Sequence, residues 1–338
     1  TRSASIVPRA AGALAGSLAG IGVASAALPD YQLVGSFPLP VGVNSYDVLP
    51  DGRALAIVGT SVFAQDALHS ASFSVIGSVP TGAVSSFGAS FLRVNPSGTR
   101  AALGDNDFGP GAEVFVFDPA ALSTASPVAG STYAIDNFDA HWAGDDTLYV
   151  TGGNVTDTLL TRLDAATGAF GAVVNTIGGA SGGITTDATY LYTANGFSFT
   201  GPSATGDIRA FPLASLTPGS PLNFETQGSP VASVLSGNSL GFDTLGNLLV
   251  GGGPDTFAAV VDGAEALAAA SGGPAATTLL GLSPTGATDS HFVRLNPATG
   301  ELLVTTFNDT TVYRYAIVPA PGTLVLVCVL ANGRRRRG

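Results

Sequence analysis

Six copies of one strand–turn–strand pattern, a composition suited to short strands, and an unassigned strand before the first copy together predict an all-β chain. The expected architecture is a six-bladed β-propeller, with seven blades as the alternative, closed by the N-terminal strand on the last blade.

The copies are read from their turns. Tyr46 to Val58 aligns with Phe91 to Leu103 and with Phe292 to Val304, each an apolar strand, a polar turn carrying Gly, and a second strand of Leu, Val and Ala. Weaker copies run 140–150, 183–192 and 240–250. With Gly52, Gly98, Asp145, Asp187, Gly246 and Gly300 as rulers, successive copies lie 46, 47, 42, 59 and 54 residues apart, the period of a four-stranded blade. Third strands follow at Ala112 to Asp118, Asp157 to Asp164, Gly206 to Leu213, Thr256 to Asp262 and Thr310 to Ile317. Blade 1 offers either Ser61 to Ala67 or Ser70 to Ile76. The wider spacings place insertions at Phe197 to Thr205 and Gly263 to Thr278, the second with a short Ala-rich helix stopped by Gly272, Gly273 and Pro274.

Composition agrees. The chain has 338 residues with 45 Gly, 21 Pro and only 11% charged residues, which favours tight turns and strands over amphipathic helices.

A ring of sheets needs closing, since an open ring leaves an unpaired face. The last blade supplies three strands, Phe292 to Asn296, Glu301 to Phe307 and Thr310 to Ile317, while Tyr31 to Phe37 is left over at the other end. Pairing that segment as the outer strand of the last blade closes the circle and brings both ends of the ring together.

Every basic residue is Arg, and Lys and Met are absent. Between residues 27 and 317 seven Arg face all 24 acidic residues, a formal charge of −17 that excludes nucleic acid as a partner. The single cysteine, Cys328, leaves no internal disulfide, so packing must hold the fold.

The two ends read as addresses. Arg2 and Arg9 precede the small, apolar run Ala10 to Val23, and Ala24-Ser25-Ala26 has the A-x-A form that signal peptidase cuts. Residues 1–26 are therefore expected to be a signal peptide, 27–317 the propeller and 318–338 a tail. That tail carries Pro319, Pro321, Gly322 and Thr323, then an apolar stretch to Ala331, then Arg334, Arg335, Arg336 and Arg337. Motif, apolar segment and Arg cluster in this order resemble the PEP-CTERM sorting signal. The resemblance implies an exosortase-like membrane protease as processing partner and a destination in the cell envelope, cell surface or extracellular matrix. It departs from the family at Ala320, where Glu is usual, and in its length: Gly322 to Gly333 would span roughly 18 Å as a helix against about 30 Å of bilayer core. Cleavage of the tail and anchoring in the membrane both stay open.

Few residues suggest chemistry. Asp139 and His141 are expected to open the inner strand of blade 3, and Asp289 and His291 that of blade 6, the blade opposite. Residues two apart share one side of a strand, so the four could offer carboxylate and imidazole ligands to Ca²⁺ or another divalent metal at the channel mouth. The competing reading, and the heavier one, is His–Asp hydrogen bonding between blades. Asp105 to Gly109, with Asp136, Asp145 and Asp146, has the oxygen density of half a Ca²⁺ loop but lacks the distal bidentate Glu, so Asp-rich turns explain it better. Trp142 could stack on a sugar but reads first as core. No G-x-S-x-G elbow, P-loop or H-E-x-x-H motif is present, and the Gly-rich runs at 178–183 and 251–253 are read as turns.

These observations predict an exported binding module for polysaccharide, protein or a small ligand, with no assured cofactor. The alternative is a metal-assisted, lactonase-like hydrolase at the channel mouth.

Overall fold

Segments such as Ala54 to Ile57 and Leu302 to Val304 are apolar and buried at every position, which a strand requires when both its faces are covered. In the computed structural model such segments are the second strands of six radial sheets. The structure describes residues 28–85, 88–105, 114–122, 126–127, 136–154, 157–178, 182–195, 206–234, 237–252, 258–282, 290–306 and 310–318. The signal residues Ala24 and Ala26, the sorting residues Pro319, Pro321, Gly322 and Arg334 to Arg337, and the insertion at 197–205 lie outside them.

Strand β1 (Asp30–Pro38) stands before the first blade. Blade 1 is β2 (Ser45–Val48), β3 (Ala54–Val58), β4 (Ser61–Gln65) and β5 (Phe73–Ser78). Both segments left open as its third strand are thus used, one as third and one as fourth. Blade 2 is β6 (Ala89–Val94), β7 (Ala101–Asp105), β8 (Val114–Phe117) and β9 (Ser126–Pro127). Blade 3 is β10 (Asp136–Trp142), β11 (Thr147–Asn154), β12 (Asp157–Asp164) and β13 (Phe170–Ile177). Blade 4 is β14 (Ile184–Thr186), β15 (Tyr190–Ala194), β16 (Gly206–Pro212) and, after an excursion, β18 (Ser229–Val234). The excursion carries β17 (Leu222–Asn223) and α1 (Phe224–Gln227). Blade 5 is β19 (Ser239–Phe242), β20 (Leu248–Gly251), β21 (Ala258–Val261) and β22 (Leu279–Leu282), with α2 (Gly263–Ala270) between the last two. Blade 6 is β23 (Ser290–Leu295), β24 (Leu302–Thr306), β25 (Thr311–Val318) and β1 as its outer strand.

The closure is the expected one. β1 pairs antiparallel with β25 from Asp30↔Val318 to Pro38↔Thr311, with a bulge between Leu33 and Gly35. Tyr31 is buried in the junction of blades 5 and 6, and Phe37 in that of blades 6 and 1, so one strand ties both sides of the last sheet.

Six apolar clusters fill six junctions. Side chains alternate across a strand, so neighbours on each second strand serve opposite junctions. Ala54 and Ala56 face blade 6, whereas Leu55 and Ile57 face blade 2. Leu302 and Val304 face blade 5, and Leu303 faces blade 1. A continuous apolar run in the sequence is therefore two interleaved half-cores.

The ruler glycines are required by the turns. Gly52, Gly98, Gly246 and Gly300 have φ of +86°, +73°, +85° and +73°, the left-handed region in which a Cβ is costly. Asn95 and Asn296 each accept turn amides through Oδ1 and donate from Nδ2 to a carbonyl of the next blade's turn, Asp145 O at 3.3 Å and Gly52 O at 3.0 Å.

The connection from Leu213 to Gly228 has no counterpart in the sequence reading. Within it β17 adds to β13 in parallel, Val174↔Leu222 and Asn175↔Asn223, giving blade 3 a fifth strand. Part of the long spacing between blades 4 and 5 lies here as well as in the insertion expected near residue 200. The helix expected in the second insertion is α2, capped by Asp262 Oδ1 accepting from Glu265 N at 2.9 Å and stopped where Gly272 turns left-handed at φ +92°. No helix among the described residues is long and apolar enough to cross a membrane.

Candidate functional site

The axis of the ring is set by the inner strands. Each ends in a turn closed by one amide: Leu49, Asn95, Ala143, Asp187, Asp243 and Asn296 donate back across their turns. Two residues before those amides stand Asp47, Arg93, His141, Thr185, Gly241 and Arg294. Two Arg, one Asp and one His thus occupy the same place in an otherwise apolar repeat.

The two Arg and the Asp join Asp139 in one network. Arg93 pairs with Asp139 through Nη2, donates to Ala140 O from Nε at 3.1 Å, and donates to Leu92 O from Nη1 at 2.6 Å. Arg294 Nη2 lies 3.6 Å from the same Asp139 oxygen, and its Nε lies 3.9 Å from Asp47 Oδ1. Blades 3 and 6 oppose each other in a ring of six, so the contact of Arg294 with Asp139 crosses the axis. Asp47 Oδ2 accepts from Val94 N at 2.7 Å. Both guanidiniums lie over the Phe292 ring, Arg93 at 5.6 Å and Arg294 at 5.4 Å from its centre.

Burial sets the charges. Desolvation raises the Asp47 carboxyl above its ordinary range, a shift that Arg93 and Arg294 oppose. Desolvation also lowers the Arg294 guanidinium, with the Arg93 charge adding to the effect. His141 is pushed down to about 3, first by burial and then by Arg294 and Arg93, so it is neutral at pH 7. Its Nε2 lies 3.0 Å from Thr186 Oγ1.

The expected metal ligands fare differently. Asp139 and His141 lie within β10, near its end, because the strand begins at Asp136. They do not bond to each other: Asp139 serves arginines and His141 serves Thr186. The Asp289 position and the His291 side chain lie outside the described residues. Among the described residues no three of His, Cys, Asp and Glu gather as metal ligands. Two guanidiniums at the Asp139 carboxylate also make it a poor seat for a cation.

The Ca²⁺-loop residues are dispersed. Asp105 ends β7 and accepts from Ser85 N at 2.7 Å, whereas Asp145 accepts from Ser97 N at 3.0 Å in a turn at the opposite end of the strands. Asp146 pairs with Arg100 beside it. Residues 106–109 lie outside the description. Trp142 is core: it is buried beside Phe91 and Leu148 and donates from Nε1 to Arg93 O at 2.9 Å.

Sequence reasoning passed over Arg93, Arg294 and Asp47, although a signal was present. The aligned copies read Tyr-Asp-Val, Leu-Arg-Val and Val-Arg-Leu, with charges of both signs at one register position of an apolar strand.

No family model matches the chain, and no curated protein sequence matches it. Solved structures do. A chain of the mitotic checkpoint complex has a TM-score of 0.51 at 11% identity, covering 94% of this chain and 99% of its own. A gluconolactonase from Xanthomonas campestris has a TM-score of 0.58 at 15% identity, covering 88% and 99%. At such identities the likeness establishes the fold, and this chain is a six-bladed β-propeller.

Proposed function

We propose that the chain is an exported envelope or matrix propeller that acts by binding a polysaccharide or protein ligand and is sorted by its C-terminal tail. One observation carries the preference for binding over catalysis. The inner-strand residues able to do chemistry, Asp139, which is buried, and His141, which is half-buried, are committed to neighbouring blades. A general base needs a pKa near the working pH, and His141, held near 3 with its Nε2 engaged by Thr186, does not meet that need. The export half of the proposal rests on the A-x-A site and on the resemblance of the last 21 residues to a sorting signal.

A lactonase-like role is the second reading, favoured by the similarity in shape to the Xanthomonas gluconolactonase. The deciding experiment uses the mature propeller. Co-sedimentation with exopolysaccharide and envelope fractions of the producing cells is expected to retain it, while gluconolactone and simple esters with Ca²⁺, Zn²⁺ or Mn²⁺ are expected to show no turnover. Metal-dependent turnover lost in Asp139→Asn would replace the binding reading with the enzymatic one. Intact-mass analysis of native protein is expected to show loss of residues 1–26 and of the Arg cluster, and retention of both would end the export reading.

A further inference from the structure

Buried polar atoms without partners are rare, because each forfeits the water it had when the chain was unfolded. Three of the few among the described residues belong to the junction of blades 6 and 1 at the axis: Arg294 Nη2, the Tyr46 hydroxyl and Thr305 Oγ1. Tyr46 and Thr305 are 3% and 4% exposed. They belong to one place. Thr305 is the cross-strand partner of Phe292, whose ring carries both guanidiniums. Thr305 Oγ1 also stands beside the Tyr46 hydroxyl, without hydrogen-bond geometry between the two, and Arg294 is the foremost charge acting on that hydroxyl.

The chemistry of the three atoms is one-sided. A guanidinium nitrogen only donates, and both hydroxyls have a proton to give. The carboxylates nearby do not answer them. Asp139 Oδ1, at 3.6 Å from Arg294 Nη2, is beyond hydrogen-bond reach and already serves Arg93, and Asp47 Oδ1 lies 3.9 Å from Arg294 Nε. Asp47 Oδ2 is taken by Val94 N. A water molecule accepts two hydrogen bonds and must place its own protons on acceptors, whereas a halide accepts from three donors and offers none. The charge also fits, because the ion pairs of Arg294 with Asp139 and Asp47 are long, 3.6 and 3.9 Å, and leave Nη2 without a hydrogen-bond acceptor.

We propose that this end of the axis is a site for one monovalent anion of halide or nitrate size, held by Arg294 Nη2, Tyr46 OH and Thr305 Oγ1. The anion would join the last blade to the first at the seam the N-terminal strand closes. It is thus a structural ligand, independent of whatever the outer loops bind.

Bromide is the probe. Crystals of the mature propeller grown in sodium bromide are expected to show an anomalous peak within about 3.5 Å of all three atoms. In solution, the unfolding midpoint is expected to stand about 2 °C higher in 100 mM sodium bromide or chloride than in gluconate of equal ionic strength. Tyr46→Phe with Thr305→Val removes two donors with little change in shape and is expected to abolish that difference. A water without anomalous signal at the site, a bromide peak only elsewhere, or equal midpoints in halide and gluconate for the wild-type protein would each overturn the proposal. The wild-type crystal and melt decide the matter even if the double variant fails to fold.

Discussion

The junctions between blades and the axis they surround are built on different rules. A junction is filled by every second residue of strands adjacent in sequence, as Leu55 and Ile57 meet Leu92 and Leu103. The axis is filled by side chains from blades 1, 2, 3 and 6, and their pairing depends on the ring being closed. Apolar burial at about 25 cal/mol per Å² tolerates any partner of suitable shape. A buried ion pair tolerates only one arrangement, and whether it stabilises at all depends on that arrangement. The junctions therefore supply the stability of the ring, and the axis favours one register and one closed count of blades.

The largest expected effect follows from the strand on which both rules rely. Removing residues 28–38 takes away the outer strand of blade 6 with Tyr31 and Phe37, aromatic side chains whose truncation alone costs about 3–5 kcal/mol each in a core. Whole domains are stable by only about 5–15 kcal/mol. The truncated chain is expected to lose its cooperative melt and to associate through the exposed edge of β25, read by calorimetry and size-exclusion chromatography. A monomeric variant with an unchanged midpoint would show that the other junctions suffice to hold the ring.

Next comes the axis. Asp139→Ala leaves Arg93 and Arg294 buried without their shared carboxylate and is expected to cost about 3–5 kcal/mol in urea unfolding. Replacing Asp47, Arg93, Asp139 and Arg294 together by Leu or Met is expected to be neutral or stabilising by about 1–4 kcal/mol. The opposite pair of results, a mild single variant and a ruinous quadruple one, would make the axis a main source of stability and erase the contrast with the junctions.

This contrast also separates what was legible in the sequence from what was not. Alternation within a strand and Gly at left-handed turns are local, so six copies, their strand order and the place of Tyr31 to Phe37 could be read from one chain. The partner of Asp139 could not, because Arg93 and Arg294 lie on different blades and nothing near them in sequence names the partner. Nor could β17, whose two residues pair in parallel with a strand of the preceding blade and carry too short a pattern to signal it. The four proposed ligands followed from a correct placement of blades 3 and 6, but Arg93 of blade 2 and Arg294 of blade 6 held Asp139 instead.

A smaller effect tests the axis by pH. His141 has a folded pKa of about 3 against an ordinary 6.5, so between those values the unfolded chain takes up a proton that the folded chain refuses. The contribution to stability is complete above pH 6.5 and is lost as pH falls toward 3, amounting to about 2 kcal/mol at pH 5. The raised Asp47 works in the opposite sense, relieving the fold as it gains a proton. The measurement is therefore the difference between wild type and His141→Gln in urea at pH 7 and pH 5. The variant is expected to lose about 2 kcal/mol less on acidification, and equal losses would place His141 in contact with water.

The smallest expected effect concerns two turns that share a backbone and differ in their neighbours. Gly98 and Gly246 have nearly equal left-handed φ, +73° and +85°, so replacement by Ala costs each about 1–2 kcal/mol of backbone strain. A Cβ at Gly246 would meet nothing within 4 Å, but at Gly98 it would lie 2.8 Å from Pro50 Cδ in the turn of the preceding blade. The proline ring cannot swing away, so Gly98→Ala must also push two blades apart. The excess of its cost over that of Gly246→Ala, measured as the difference in urea midpoints, isolates the contact between turns from the strain within one. Equal costs would mean that the turns repeat without touching and that the junctions below them do all the packing.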